Sequence, residues 1–240
     1  MMRAIWISLI CQAVLLMSPL YATAQDRPAR IGWAPSYSGA CSGCDMSGRD
    51  LAGWNISNGD YSGSLITGSG FRSVVASRTN FDNTRTRQAD MRQGIFTNAS
   101  FRSADLRAVR FDGSDMNGAD FTNAILSNAR LSGATLIGSV FVGSQMRNIT
   151  ANAADFSGAH LKNCDLSNAH LEQSSFNNTR FDNVVLRGAI IKGASFESAR
   201  FFNSDLADID GINSANFSGA CSDETTRLPA FLVLDTCISK

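Results

Sequence analysis

Cys41-Ser42-Gly43-Cys44 has the C-x-x-C spacing of a redox dithiol or of half a zinc site, and Cys221 with Cys237 could supply the other half. His160 and His170 are the histidines available for ligation or general-base work. Aspartate recurs at five-residue intervals, at Asp105, Asp115, Asp120, Asp155, Asp165 and Asp205, in the manner of a carboxylate array. Arg72, Arg87, Arg92 and Arg107, with Arg78, Arg85, Arg102 and Arg110 nearby, form a cationic run that could hold an acidic partner, lipid headgroups or an anionic glycan. No nucleophile elbow, Walker loop or H-E-x-x-H segment occurs, so local spacing names no reaction. Which of these groups can meet depends on the backbone.

That backbone is repetitive. Every fifth residue from Met46 to Leu206 gives 33 positions without insertion, and 30 of them are large and apolar; only Ala76, Thr86 and Ala151 depart. The register one residue later has three large apolar residues, Ile137, Val142 and Phe202, so the contrast is internal repetition rather than composition. A helix wants a 3.6-residue period and a strand a period of 2, and a strict 5 satisfies neither. Two places before each large residue the side chain is usually small, as at Ala99, Ala104, Ala119 and Ala124. Two places after it, Gly or Asn fills 23 of the 33 positions, and both tolerate the left-handed backbone of a tight turn. Each unit thus supplies a large inward residue, a small inward residue and a corner.

Units such as Ala104-Asp105-Leu106, Ala119-Asp120-Phe121 and Ala215-Asn216-Phe217-Ser218-Gly219 resemble the pentapeptide-repeat family, whose consensus is A-(D/N)-L-x-x. The resemblance covers residues 44–219 and implies an all-β, right-handed quadrilateral β-helix of about 8–9 coils, four pentapeptides to each 20-residue coil. The sequence carries its own check on four sides. The column Tyr61, Phe81, Phe101, Phe121, Phe141, Leu161, Phe181, Phe201 is aromatic in all but one place. The column Met46, Ile66, Thr86, Leu106, Leu126, Met146, Leu166, Leu186, Leu206 has no aromatic residue, and sorting by 15 mixes the classes. At about 4.8 Å between stacked strands such a rod is roughly 40 Å long. At Gly211 the register slips by one, and Ile212 and Phe217 continue it.

A rod separates the candidate groups. The two cysteine pairs fall at opposite ends, so one tetrahedral ion cannot join them, and no metal or cofactor is expected. Cys221–Cys237 reads as a disulfide that clips the C-terminal cap, Cys41 and Cys44 as a structural pair, and Cys164 as a buried thiol. His160 and His170 precede inward residues on different faces and cannot pair. The aspartates sit at the family's consensus position, which serves repeat geometry. Ile137, Val140 and Val142 are apolar at outward positions and could form a contact patch.

The chain begins like an export substrate: Arg3, a largely apolar stretch from Ala4 to Leu20, then Ala22-Thr23-Ala24 as a small-x-small cleavage signal. The expected organisation is a signal peptide at 1–24, an N-terminal leader at 25–43, the β-helix at 44–219 and a C-terminal cap at 220–240. Cleavage leaves no transmembrane anchor and a periplasmic or secreted protein, in which disulfides are permissible. Formal net charge is +0, but residues 25–110 carry 11 Lys/Arg against 7 Asp/Glu and residues 111–240 carry 9 against 14. Such a balance suits neither a nucleic-acid binder nor a strongly acidic mimic.

The expected function is a non-catalytic interaction or scaffold protein of the cell envelope, with a protein or an anionic envelope component as partner and a homodimer through a solenoid end as its assembly. The resemblance also suggests a DNA mimic that binds DNA gyrase, which the export signal and near-zero charge oppose. A further alternative is an anionic-ligand-binding module using Arg72, Arg87, Arg92 and Arg107.

Overall fold

The computed structural model describes residues 41–237, so the expected signal peptide and all of the leader but its last three residues lie outside the described residues. Within them the chain is an all-β solenoid. Residues 20 apart pair in parallel, beginning with Asp45↔Leu65, Asp50↔Gly70, Asn55↔Val75 and Asp60↔Asn80 and continuing along all four faces. On three faces the pairing consists of single bridges. The fourth extends into the strands β1 (Val140–Val142), β2 (His160–Lys162), β3 (Arg180–Asp182) and β4 (Arg200–Phe202).

Each pentapeptide is held both along the rod and within its own turn. The Phe121 N–H donates to the Val140 carbonyl at 2.7 Å and the Asp120 N–H to the Ala99 carbonyl at 3.0 Å, tying one coil to both neighbours. The Ala124 N–H closes the corner on the Phe121 carbonyl at 3.0 Å. The residue two places after each inward side chain takes the left-handed conformation, at φ 67° for Gly118 and 59° for Asn123. Glycine and asparagine accept that geometry, whereas Ala108 at φ 55° holds it against the clash of its own Cβ. Ala108→Gly is therefore expected to raise stability by about 0.5–1 kcal/mol in urea unfolding, the relief of strain exceeding glycine's added chain entropy.

The core is one continuous column. The large inward residues from Met46 to Leu206 are all buried, and so are the small ones, including Ala99, Ala119, Ala124 and Cys164. Ala76, Thr86 and Ala151 break the size pattern but are buried as well. Where serine or threonine takes the small position, its hydroxyl donates to a main-chain carbonyl, as Ser114 does to Phe111 and Thr79 to Ile56. A buried hydroxyl thus costs little, because it is satisfied.

The aromatic residues form two stacks of four, and Phe181 stacks on Phe201 at 4.7 Å. Phe81, Phe101, Phe121 and Phe141 lie with centroids 4.9, 5.2 and 4.9 Å apart and planes within 10° of parallel. Leu161 interrupts that column, and Phe156, Phe176, Phe196 and Phe217 stack at 4.8, 5.2 and 4.9 Å on the face before it. Offset stacking is a favourable aromatic geometry, and the strand spacing imposes it here.

Pairing continues past residue 219. Beyond the slip at Gly211, Ser195 pairs with Asn216 and Asp205 with Arg227, and β5 (Cys221–Ser222) and β6 (Asp235–Thr236) add two more parallel strands beside β4. The inserted residue is absorbed by a 3-10 turn at Ile212–Ser214, led by Gly211 at φ 88°. A Cβ on Gly211 would lie 2.6 Å from the Lys192 amide nitrogen, so glycine is required there. Ile212 consequently sits in that turn and outside the buried core, while Phe217 regains an inward place.

Candidate binding surfaces

The outward aspartates are turn caps. Oδ1 of Asp45, Asp50, Asp60, Asp115, Asp120, Asp155, Asp165 and Asp205 each accepts the backbone N–H two residues on, at 2.9–3.1 Å. Asn55, Asn80 and Asn216 do the same. A side-chain oxygen in this position satisfies the first free amide of the corner, which explains why Asp and Asn share it. The carboxylate array is thus bound to its own backbone and is not a reactive pair.

At Asp120, Asp165 and Asp205, and at Asp90 and Asp105 on the same ladders, the second oxygen meets arginine. Arg87 and Arg107 both bond Asp105, at 2.6 and 2.7 Å, Arg92 bonds Asp90 at 2.5 Å, and Arg102 bonds Asp120 at 2.5 Å. Arg147 pairs with Asp165 in the same way. Of the four arginines expected to hold an anionic partner, three are engaged by two carboxylates, Arg92 by Asp90 and both Arg87 and Arg107 by Asp105, and Arg72 reaches Gln93 at 3.5 Å. The band presents less free charge than its sequence implies.

Burial pushes the Asp120 carboxyl up, but the hydroxyl and amide of Thr122 and the Arg102 guanidinium outweigh it and hold the group below the usual aspartate range. Asp165 is held low against burial by Ser167 and Arg147. Asp90 is lowered chiefly by its Arg92 bond. A carboxyl depressed by folding stabilises above its unfolded value, and that contribution is lost as pH falls through the folded one. Urea midpoints should therefore stay level down to about pH 4 and drop below it, and high salt should shrink the drop. A midpoint that rises on acidification would contradict these pairings.

Two disulfides lie at the two ends. Cys41 and Cys44 are bonded at the first described coil, with Cα atoms 5.4 Å apart, and Cys221 and Cys237 join β5 to the residue after β6, with Cα atoms 4.9 Å apart. Cys164 is buried and unbonded, and burial pushes its thiol up. His160 and His170 are about half exposed, on different faces, 3.8 Å from Asp182 and Glu172 respectively. Among the described residues no three His, Cys, Asp or Glu side chains gather in a metal-binding arrangement.

Ile137 is exposed, whereas Val140 and Val142 are half-buried in β1, so that apolar patch is smaller than its sequence suggests. The larger apolar exposure is at the C-terminal end, which sequence reading passed over. Phe231 and Val233 are 92% and 91% exposed, alternating with half-buried Leu232 and Leu234. A second grouping was also missed. His160, Lys162, Arg180 and Asp182 line a shallow depression together with Gly158 and Ala159. Those residues are 18–22 apart, so writing the sequence in rows of 20 brings them together.

Family profiles described as Pentapeptide repeats (8 copies) and Pentapeptide repeats (9 copies) match residues 77–113 and 114–150, and residues 156–200, respectively. No curated protein matches the chain. Among solved structures, it is similar to HetL of Nostoc sp. strain PCC 7120, a pentapeptide repeat protein involved in heterocyst differentiation regulation. Identity is 18%, over 75% of this chain and 86% of that one, with a TM-score of 0.43. QnrB1, a plasmid-mediated fluoroquinolone resistance protein, is 18% identical over 75% of this chain and 91% of that one, with a TM-score of 0.32. A pentapeptide repeat protein of the Arabidopsis thaliana thylakoid lumen is 26% identical over 62% and 66% of the two chains, with a TM-score of 0.16.

Proposed function

Because this chain belongs to the pentapeptide-repeat family, we propose that it is a non-catalytic interaction or scaffold protein of the cell envelope, built as a right-handed rod of about 8–9 coils. The observation that carries this reading is the use made of the outward polar groups. The carboxylates that could do chemistry cap backbone amides, four of the six (Asp105, Asp120, Asp165 and Asp205) are also paired with arginine, and they hold the corners of a rigid rod. What such a molecule offers is four ladder-built faces and an end bearing Phe231 and Val233. That end is the surface on which a second copy would pack.

The envelope address rests on Arg3, the apolar stretch to Leu20 and Ala22-Thr23-Ala24. The gyrase-binding alternative needs a strongly acidic surface, and here the chain's formal net charge is +0 and Asp90 and Asp105 are paired with arginine. Fractionation followed by amino-terminal sequencing tests the reading. Envelope or medium material beginning at residue 25 is expected. A cytoplasmic form that keeps Met1 would overturn the address and return the DNA-mimic reading.

A further inference from the structure

We propose that the depression on the β1–β4 face is a binding site for a tetrahedral oxyanion, a phosphate or sulfate group carried on a small molecule or glycan. It lies away from the arginine band at residues 72–107 and does not depend on the envelope reading. It is lined by Gly158, Ala159, His160, Lys162, Asn178, Arg180 and Asp182, of which the first two are small and leave room.

The ladder puts cations in register. His160 pairs with Arg180 and Arg180 with Arg200, while Lys162 stands opposite Asp182, on neighbouring parallel strands. Lys162 and Arg180 thus converge on the depression, where an anion would meet two cations against one carboxylate. Asp182 is the one acid lining the depression, and it is already engaged by Arg180 Nε at 2.6 Å. Lys162 makes no ion pair among the described residues. On the near side β1 contributes Val140 and Val142, which bring no opposing charge.

Arg180 is also pre-oriented. Its Nε is fixed by Asp182, and its guanidinium carbon lies 4.6 Å over the Phe202 ring. Held on one edge and one face, the planar group keeps its terminal nitrogens for a ligand, the fork that suits phosphate or sulfate oxygens. Little ordering cost then remains to be met on binding. The Lys162 ammonium adds a mobile point charge and the His160 ring a further donor. The open setting makes the affinity weak and strongly dependent on salt.

The chain has two histidines, so the test can be read at the site itself. Inorganic phosphate, sulfate and acetate are titrated separately into the full chain at low ionic strength, while the histidine ring signals are followed by NMR. The His160 signals should move saturably with phosphate and sulfate, and those of His170, on another face beside Glu172, should stay fixed. A preference between the two anions would tell a phosphoryl from a sulfate ligand. Lys162→Ser and Arg180→Ser should each weaken binding at least threefold, and together about tenfold. Arg180→Lys keeps the charge and strand but removes the fork, and should lose part of the affinity. Equal movement of both histidines, acetate binding as tight as phosphate, or variants that bind like the parent would each overturn the assignment.

Discussion

Phe121→Ala should cost about 3–5 kcal/mol of unfolding free energy. The ring is fully buried, 5.2 Å from Phe101 and 4.9 Å from Phe141, with the edge of Phe111 at 6.4 Å. The backbone on either side is fixed by bonds to the coils above and below, so the walls cannot close on the space left. Neighbouring positions should respond very differently. Asn123→Gly should be nearly neutral, because φ 59° suits glycine. Thr122 faces outward, yet its hydroxyl donates to Asp120 Oδ1 at 2.6 Å, so Thr122→Ala should cost about 0.5–1 kcal/mol. Twenty residues on, Phe141→Ala should be severe and Val142→Ala mild. Denaturant unfolding of the set checks the order, and a Thr122→Ala or Val142→Ala as damaging as its neighbour would mean a wrong inward register.

That register was legible because a single physical constraint, burial of one large side chain per unit, recurs without insertion from Met46 to Leu206. The 20-residue ladder was legible too, through the aromatic column ending at Phe201. The second stack, from Phe156 to Phe217, was not seen. It begins only where Leu161 breaks the first, and it crosses the slip at Gly211. The ion pairs were missed for a geometric reason. Arg87 with Asp105, Arg102 with Asp120 and Arg147 with Asp165 are each 18 apart, the diagonal from one unit's outward side to the next coil's. Reading charges along the chain gives a basic band, whereas reading along that diagonal sets Arg87 and Arg102 against acids. The cap resisted for a different reason: residues 223–234 follow no period, and their fold depends on β5 and β6 pairing across a bonded loop.

Cys237→Ser should loosen that cap by about 3 kcal/mol, the loop-closure entropy of a bridge spanning about 15 residues. The loss should be local. In a solenoid each coil touches only its neighbours, so an end opens without the middle following. β6 rests on β5 through the Cys237 N–H to the Ser222 carbonyl at 3.0 Å, and β5 in turn pairs with β4, Ser222 opposite Phe201. Hydrogen exchange at the amides of Asp223, Arg227 and Cys237 should therefore quicken by about two orders of magnitude, while the amides of Phe101 and Phe121 keep their protection. Reductant should reproduce this at the same C-terminal amides of the parent chain and add nothing at those amides in the variant. Cys44→Ser opens a bridge of sequence separation 3 where the C-terminal one spans 16. The same logarithm makes its loss smaller by about 1.5 kcal/mol. If exchange at Phe121 quickened together with that at Cys237, the rod would be unfolding as one unit, and the end-by-end account of its stability would fail.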